Sequence, residues 1–241
     1  MEGISFDKKK AKVIGSGKTK RLLYDEESGK YYLQFTNQVT GDEEGINPGA
    51  NQVLGDIEGM GDLSLITSSY FFERLGAREI KTHFLGRNHE NGLMEIKKAS
   101  PILLEFVGRW EAAGSVCKVF RIKQGTIFEK LATETMLKDD ECQDPRIGQS
   151  MSVTMGLISD EEYEHCLHLL RLIGDILREE LRPFGLELVD FKLEFGHDRD
   201  GKIILIDEIS GGIWRVKKDG IIISGEESMK IIVAALTKRG L

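Results

Sequence analysis

The stretch from Leu188 to Ser210 constrains this chain most, because it reads as one antiparallel hairpin with two unlike faces. Val189, Phe191, Leu193 and Phe195 point one way, and Asp190, Lys192 and Glu194 point the other. The apolar set is core. Asp200-Gly201 is a two-residue hairpin signal, and Ile203-Ile204-Leu205-Ile206 is too apolar for a solvated edge. That turn pairs Arg199 with Lys202 and sets Glu194 directly opposite Asp207. Cross-strand partners lie about 5 Å apart at Cβ, and like charges there repel. A partly buried carboxylate pair therefore needs a cation or a shared proton. Two carboxylates completed by phosphate and water suit magnesium; a protonated dyad is the alternative.

At 241 residues the chain is long enough for one large domain or two small lobes. Its formal net charge of −7 does not point to nucleic acid, so an anionic ligand must meet locally placed Lys and Arg. Cys117, Cys142 and Cys166 form no CxxC pair, which favours a reducing compartment. No apolar run approaches the roughly 20 residues of a membrane span, and no signal-peptide core opens the sequence. The expectation is a soluble cytoplasmic protein with small-molecule partners, no membrane and no nucleic acid, assembling as a homo-oligomer.

Short runs at Lys12–Ile14, Lys20–Tyr24 and Tyr31–Phe35 predict strands, separated by Gly15-Ser16-Gly17 and Glu27-Ser28-Gly29. Thr40 to Gln52 reads as a polar loop, and Ser64 to Leu75 as a helix. A strand-rich first lobe over 1–97 and a second lobe over 98–241 follow. In the second, Ile102–Val107 predicts a buried strand, and Ala112-Ala113-Gly114-Ser115 a turn or helix entry. Ser159 and Glu162 form a capping box that opens a long helix, with Tyr163, Leu167, Leu170, Ile173, Leu177 and Leu181 on one face. Pro183 and Gly185 end it, and Glu226–Leu236 predicts a closing helix.

Gly15-Ser16-Gly17-Lys18-Thr19-Lys20 is not a P-loop, because Lys12 stands where the first glycine belongs and Arg21–Tyr24 looks like strand. A glycine loop carrying Lys18 and Lys20 can still cover phosphates. Lys97-Lys98, Arg109, Lys138 and Arg215 are scattered basic residues. Arg109, just before Ala112–Ser115, is the best placed for a bidentate oxyanion contact. The five histidines show no metal-ligand spacing.

Together these segments resemble the SAICAR synthetase family. Leu188-Val189-Asp190-Phe191-Lys192-Leu193-Glu194-Phe195-Gly196 is similar to its LVDFKLEFG signature, followed by Asp207-Glu208-Ile209-Ser210 for its DEIS/DEFS. Gly17–Lys20, Lys97-Lys98, Arg109 with Ala112–Ser115, and Lys138-Asp139-Asp140 with Asp144-Pro145 follow in the family's order. The resemblance implies an α+β, two-lobed fold related to ATP-grasp and kinase-like architectures, with antiparallel sheets, flanking helices and ATP between the lobes. It implies an ATP- and magnesium-dependent ligase that joins an imidazole carboxylate nucleotide (CAIR) to L-aspartate in purine biosynthesis. By this likeness Lys18, Lys20 and Lys97 bind ATP, and Glu194 and Asp207 hold magnesium. Arg109, Ser115 and Arg215 contact the substrate, and Lys192, Asp190 and Arg215 serve the reaction.

Three places depart from the family pattern. Trp110 replaces an Asn, Gly212 replaces an Asp within Ser210–Arg215, a longer Val39–Val53 segment replaces the early substrate loop, and a following Asn-rich turn becomes Asp62-Leu63-Ser64. A Trp and an Ile (Ile213) in place of polar groups predict a reshaped polar pocket. A paralogue joining a different carboxylate and amine is thus the alternative, and a non-catalytic nucleotide-binding protein a second.

Overall fold

Short apolar runs punctuated by Gly15-Ser16-Gly17 and Gly29 become three antiparallel strands: β1 (Ala11–Ser16), β2 (Lys20–Asp25) and β3 (Lys30–Phe35). The computed structural model describes residues 11–42, 45–46, 52–88 and 92–240. Beyond β3 come β4 (Gln38–Asp42), β5 (Gly45–Ile46), β6 (Gln52–Asp56) and helix α1 (Met60–Gly76). Strands β7 (Phe84–Asn88) and β8 (Leu93–Ile96) complete a sheet of order β1-β2-β3-β8-β7. The expected loop over Thr40–Gln52 is instead partly a small sheet, because β4 pairs with both β5 and β6. Residues 43–44 and 47–51 of that segment lie outside the described residues. Asp62-Leu63-Ser64 is not a turn but the first part of α1.

The second half comprises β9 (Ser100–Glu111), α2 (Ser115–Phe120), β10 (Ile127–Leu137), α3 (Gln149–Thr154), α4 (Asp160–Leu181), β11 (Glu187–His197), β12 (Ile203–Ile206), β13 (Trp214–Lys218), β14 (Ile221–Ile223) and α5 (Gly225–Lys238). Its sheet runs β10-β9-β11-β13-β14, with β12 also on β11. One sheet face is apolar. Leu104, Phe106, Phe191, Leu193 and Phe195 pack there with Tyr163, Leu170, Ile173 and Leu177 of α4, as the helix period predicted. The same core continues to Phe71, Phe72 and Leu75 of α1 and Met94 of β8, so the two halves share it. Helix α5 also returns to the first half, where Met229 packs with Val39 and Met60.

The capping box at the start of α4 is present in both directions, with Ser159 Oγ accepting from the Glu162 amide and the Glu162 carboxylate accepting from the Ser159 amide. Ser159→Ala should cost about 1 kcal/mol, read as a lower urea midpoint at an unchanged slope.

Candidate active site

The face of the second sheet opposite α4 carries the charges, and strand register arranges them in rows. Across β9, β11 and β13, Arg109 pairs with Asp190 and Asp190 with Arg215. Side chains of paired residues share a face, so one buried aspartate receives two guanidinium groups: Arg109 binds it directly, and Arg215 Nη1 donates to it at 2.6 Å. Burial raises the Asp190 carboxyl above the usual range, against the pull of Arg215 and Arg109. Arg109 Nε also donates to Glu134 of β10 at 2.9 Å.

Four residues further along β11, Glu194 faces Glu105 of β9. Two buried carboxylates side by side need cations, and two lysines supply them. Lys192 Nζ lies 2.5 Å from Glu105 and 3.8 Å from Glu194, and Lys138 binds Glu194 directly. Lys20, reaching in from β2, lies 2.8 Å from Asp207 and 2.5 Å from Glu208.

The hairpin register differs by one residue from the sequence expectation. Glu194 pairs with Ile206, not with Asp207. Asp198 is the cause. Its carboxylate accepts from the amides of Asp200 and Lys202, both at 2.9 Å, and its carbonyl accepts from Gly201. This makes a three-residue loop over 199–201, closed by Gly201 at a left-handed φ of 73°. A regular continuation of β12 would set Asp207 opposite Leu193, on the apolar side. Asp207 instead takes a left-handed φ of 70° and ends the strand, and its carboxylate joins Lys20.

Glu194 and Asp207 are thus electrostatic neighbours by a different route. Burial and the charge of Asp207 push the Glu194 carboxyl up, although Lys138 and Lys192 oppose this. Asp207 is held below the usual carboxylate range, since Lys20, Lys138 and Lys192 outweigh its burial. Burial opposes the charge on Lys20, yet Asp207 and Glu208 raise its pKa far above that of an ordinary lysine. The mutually repelling carboxylates fit a hard cation, which would relieve the repulsion. Among the described residues no three His, Cys, Asp or Glu groups form a closed metal cage. Two carboxylates alone would suit a magnesium ion that takes its remaining ligands from phosphate and water.

Lys18 is placed apart, in an ion pair with exposed Asp140 at 2.7 Å. Lys97 lines a hollow with Lys30, Tyr31 and Asp198–Asp200, on the turn side of the hairpin. Ser115 opens α2 and accepts from Arg146 Nη2 at 3.2 Å. Residues that the sequence reading did not single out are Glu105, Glu134, Arg146, Glu208 and His83. His83 is buried, its ring bonds the Asp207 backbone, and burial lowers its pKa to about 4, so it stays neutral. Glu105 and Arg109 share the period-two face of β9, a signal that could have found Glu105.

The departures at Trp110 and Ile213 do not reshape the polar face. Trp110 lies on the other side of β9, stacked on Phe191 at 5.5 Å and capped by Arg178 at 4.6 Å. Ile213 is buried in the main core. Gly212 does border the site, because a Cβ there would stand 3.4 Å from both Glu208 carboxylate oxygens.

Gly114 seats Arg215. A Cβ at this position would meet Arg215 Nη2 at 2.5 Å, and φ is 66°. Gly114→Ala is expected to displace Arg215 and to cost about 2 kcal/mol of stability. A lower urea midpoint at an unchanged slope would report the loss.

Lysines and arginines bound to carboxylates thus share one sheet face, next to a lysine reaching in from a second sheet. The comparisons place the chain. The SAICAR synthetase family model matches residues 13–228. The phosphoribosylaminoimidazole-succinocarboxamide synthase of Clostridium tetani is 40% identical over 226 residues, covering 92% of this chain and 99% of the relative. The crystal structure of the same-named enzyme from Ehrlichia chaffeensis superposes with a TM-score of 0.85 at 26% identity, covering 94% of this chain and 98% of that one. A SAICAR synthetase in complex with ADP superposes with a TM-score of 0.82 at 28% identity, covering 92% and 96%. The chain belongs to the SAICAR synthetase family, whose members are ATP-dependent ligases. Among the described residues no helix is long and apolar enough to cross a membrane.

Proposed function

We propose that this protein couples ATP hydrolysis to amide formation between an imidazole carboxylate nucleotide and L-aspartate. The observation that carries the reading is that β11 presents Asp190, with its two arginines, and Glu194, with its lysines, on one face. A carboxylate held by Arg109 and Arg215 then lies beside a phosphate held by Lys20, Lys138 and Lys192. Lys18 and Lys97 complete the ATP contacts from the first lobe (1–97) at its border with the second (98–241). Glu194 and Asp207 would hold magnesium, which when bound offsets charge on the phosphoryl oxygens.

The lysines orient the terminal phosphate and take up charge as it transfers. An oxygen of the acceptor carboxylate bonds to phosphorus, the bond to ADP breaks, and an acyl phosphate results. The amine then attacks the acyl carbon, inorganic phosphate leaves, and the amine gives up its proton. Lys192 is placed between the two clusters to follow the phosphoryl group, while Asp190 keeps Arg109 and Arg215 in position.

One observation favours a second reading with another amine. The hollow beside Gly212, bordered by Thr19, Thr36, Gln38, Thr40 and Glu208, has no basic side chain among its described lining residues to meet a second carboxylate. ADP release measured with the carboxylated nucleotide and a panel of amines tests both. Release dependent on aspartate supports the first; release only with amines lacking a side-chain carboxylate supports the second.

A further inference from the structure

His83 stands where three parts of the chain meet. Its amide donates to the Leu205 carbonyl of β12 at 2.9 Å, and its carbonyl accepts from the Lys97 amide at 2.7 Å. The Leu205 amide donates to the Lys81 carbonyl at 3.0 Å, so residues 81–83 run beside β12 as a short parallel bridge. The backbone of His83 is thereby fixed against the strand that Asp207 follows. Its ring is 2% exposed and packs on Phe72, with ring centroids 5.3 Å apart. The ring bonds the Asp207 backbone. Its Nε2 is buried and has no hydrogen-bond partner among the described residues.

A neutral imidazole carries one N–H. With Nε2 unpartnered, the bond to Asp207 runs from the Nδ1 hydrogen to the carbonyl. Leaving a polar nitrogen unpaired in a buried site is costly. A phenyl ring would fill the same space beside Phe72 without that cost, so packing does not account for a histidine here. The Nδ1 bond does. Asp207 needs it, because a non-glycine residue at a φ of 70° holds that conformation only where its surroundings dictate it. Two further contacts fix the same turn: Lys20 binds the Asp207 carboxylate, and the Ile209 amide donates to Ser68 Oγ at 3.2 Å. Lys20 grips the side chain and Ser68 the residue two places on; His83 holds the Asp207 main chain itself.

We propose that His83 is a positioning residue for the magnesium site, whose Nδ1 holds the Asp207 main chain in its left-handed turn and so aims the Asp207 carboxylate at the metal. The inference rests on the functional reading above, which gives Asp207 to magnesium. On a regular continuation of β12 the Asp207 side chain would point to the apolar side; the turn brings it to Lys20 instead. Without the bond the turn can relax, and the carboxylate loses its aim rather than its charge. The effect therefore falls on metal affinity and not on the phosphoryl step.

The test compares wild type with His83→Phe, His83→Gln and His83→Asn. Asn sets an amide nitrogen near the place of Nδ1, and Gln near that of Nε2. Calorimetric binding of ADP is measured with and without magnesium chloride, alongside the magnesium dependence of the steady-state rate. His83→Phe should lose about tenfold in ADP affinity with magnesium, the equivalent of one hydrogen bond, and little without it. Its rate should recover at saturating magnesium. His83→Gln should behave like His83→Phe, whereas His83→Asn should keep most of the wild-type affinity. Should His83→Phe fail to fold, the contrast between Asn and Gln decides. An unchanged magnesium dependence in His83→Phe or His83→Gln overturns the proposal. Equal losses in all variants, with and without magnesium, would mark a packing role alone and overturn it too. A wild type that binds ADP equally with and without magnesium overturns the functional reading of the metal site, and the proposal with it.

Discussion

Glu194→Gln should leave the protein folded and lower kcat/KM for ATP by about a thousandfold, roughly 4 kcal/mol. Glu194 is buried between Lys138 and Lys192 and feels the charge of Asp207. The amide keeps the shape and removes the charge, so a divalent ion loses one of its two anionic ligands. The two lysines can each fall back on another charge, since Lys192 retains Glu105 and Asp207 adds to the field at Lys138. Steady-state kinetics over a range of magnesium concentrations checks this. The loss should be partly recovered at high magnesium, whereas a near-normal rate would remove Glu194 from the metal site.

Asp190→Asn should act mainly through stability. The Asp190 carboxylate is shared by Arg109 and Arg215 in a row across three strands, and both Asp190 and Arg109 are almost fully buried. Removing one partner of a buried ion pair typically costs about 3–5 kcal/mol, so the melting temperature should fall by about 10 °C. The companion Arg215→Met should cost less, because Arg109 still neutralises Asp190. Thermal unfolding of the two variants side by side decides the point; equal losses would show that the row does not act as described.

The fold was legible wherever side-chain period and turn chemistry agreed. The alternation of Val189–Phe195 placed the core face and the charged face of β11 correctly, and the Ser159–Glu162 box placed the start of α4. Two things were not legible. The Asp200-Gly201 signal suggested a two-residue turn, but Asp198 two residues earlier offered its carboxylate to two amides and lengthened the loop. Glu194 and Asp207 then met through a left-handed backbone at Asp207, which local propensity does not announce in a non-glycine residue. The other was pairing between distant strands. Glu105, Glu134 and Arg146 join the site only because β9, β10 and β11 lie side by side, and a single strand's pattern does not say which neighbour it will have. The same ignorance put Trp110 in the polar pocket, although its odd–even position relative to Arg109 already set it on the other face.

The central claim is that ATP activates a carboxylate by phosphorylating it. The most direct measurement uses acceptor nucleotide labelled with heavy oxygen in its carboxylate, incubated with ATP, magnesium and the amine. The account predicts that one labelled oxygen appears in the inorganic phosphate for each amide formed. Amide formation with unlabelled phosphate would contradict it.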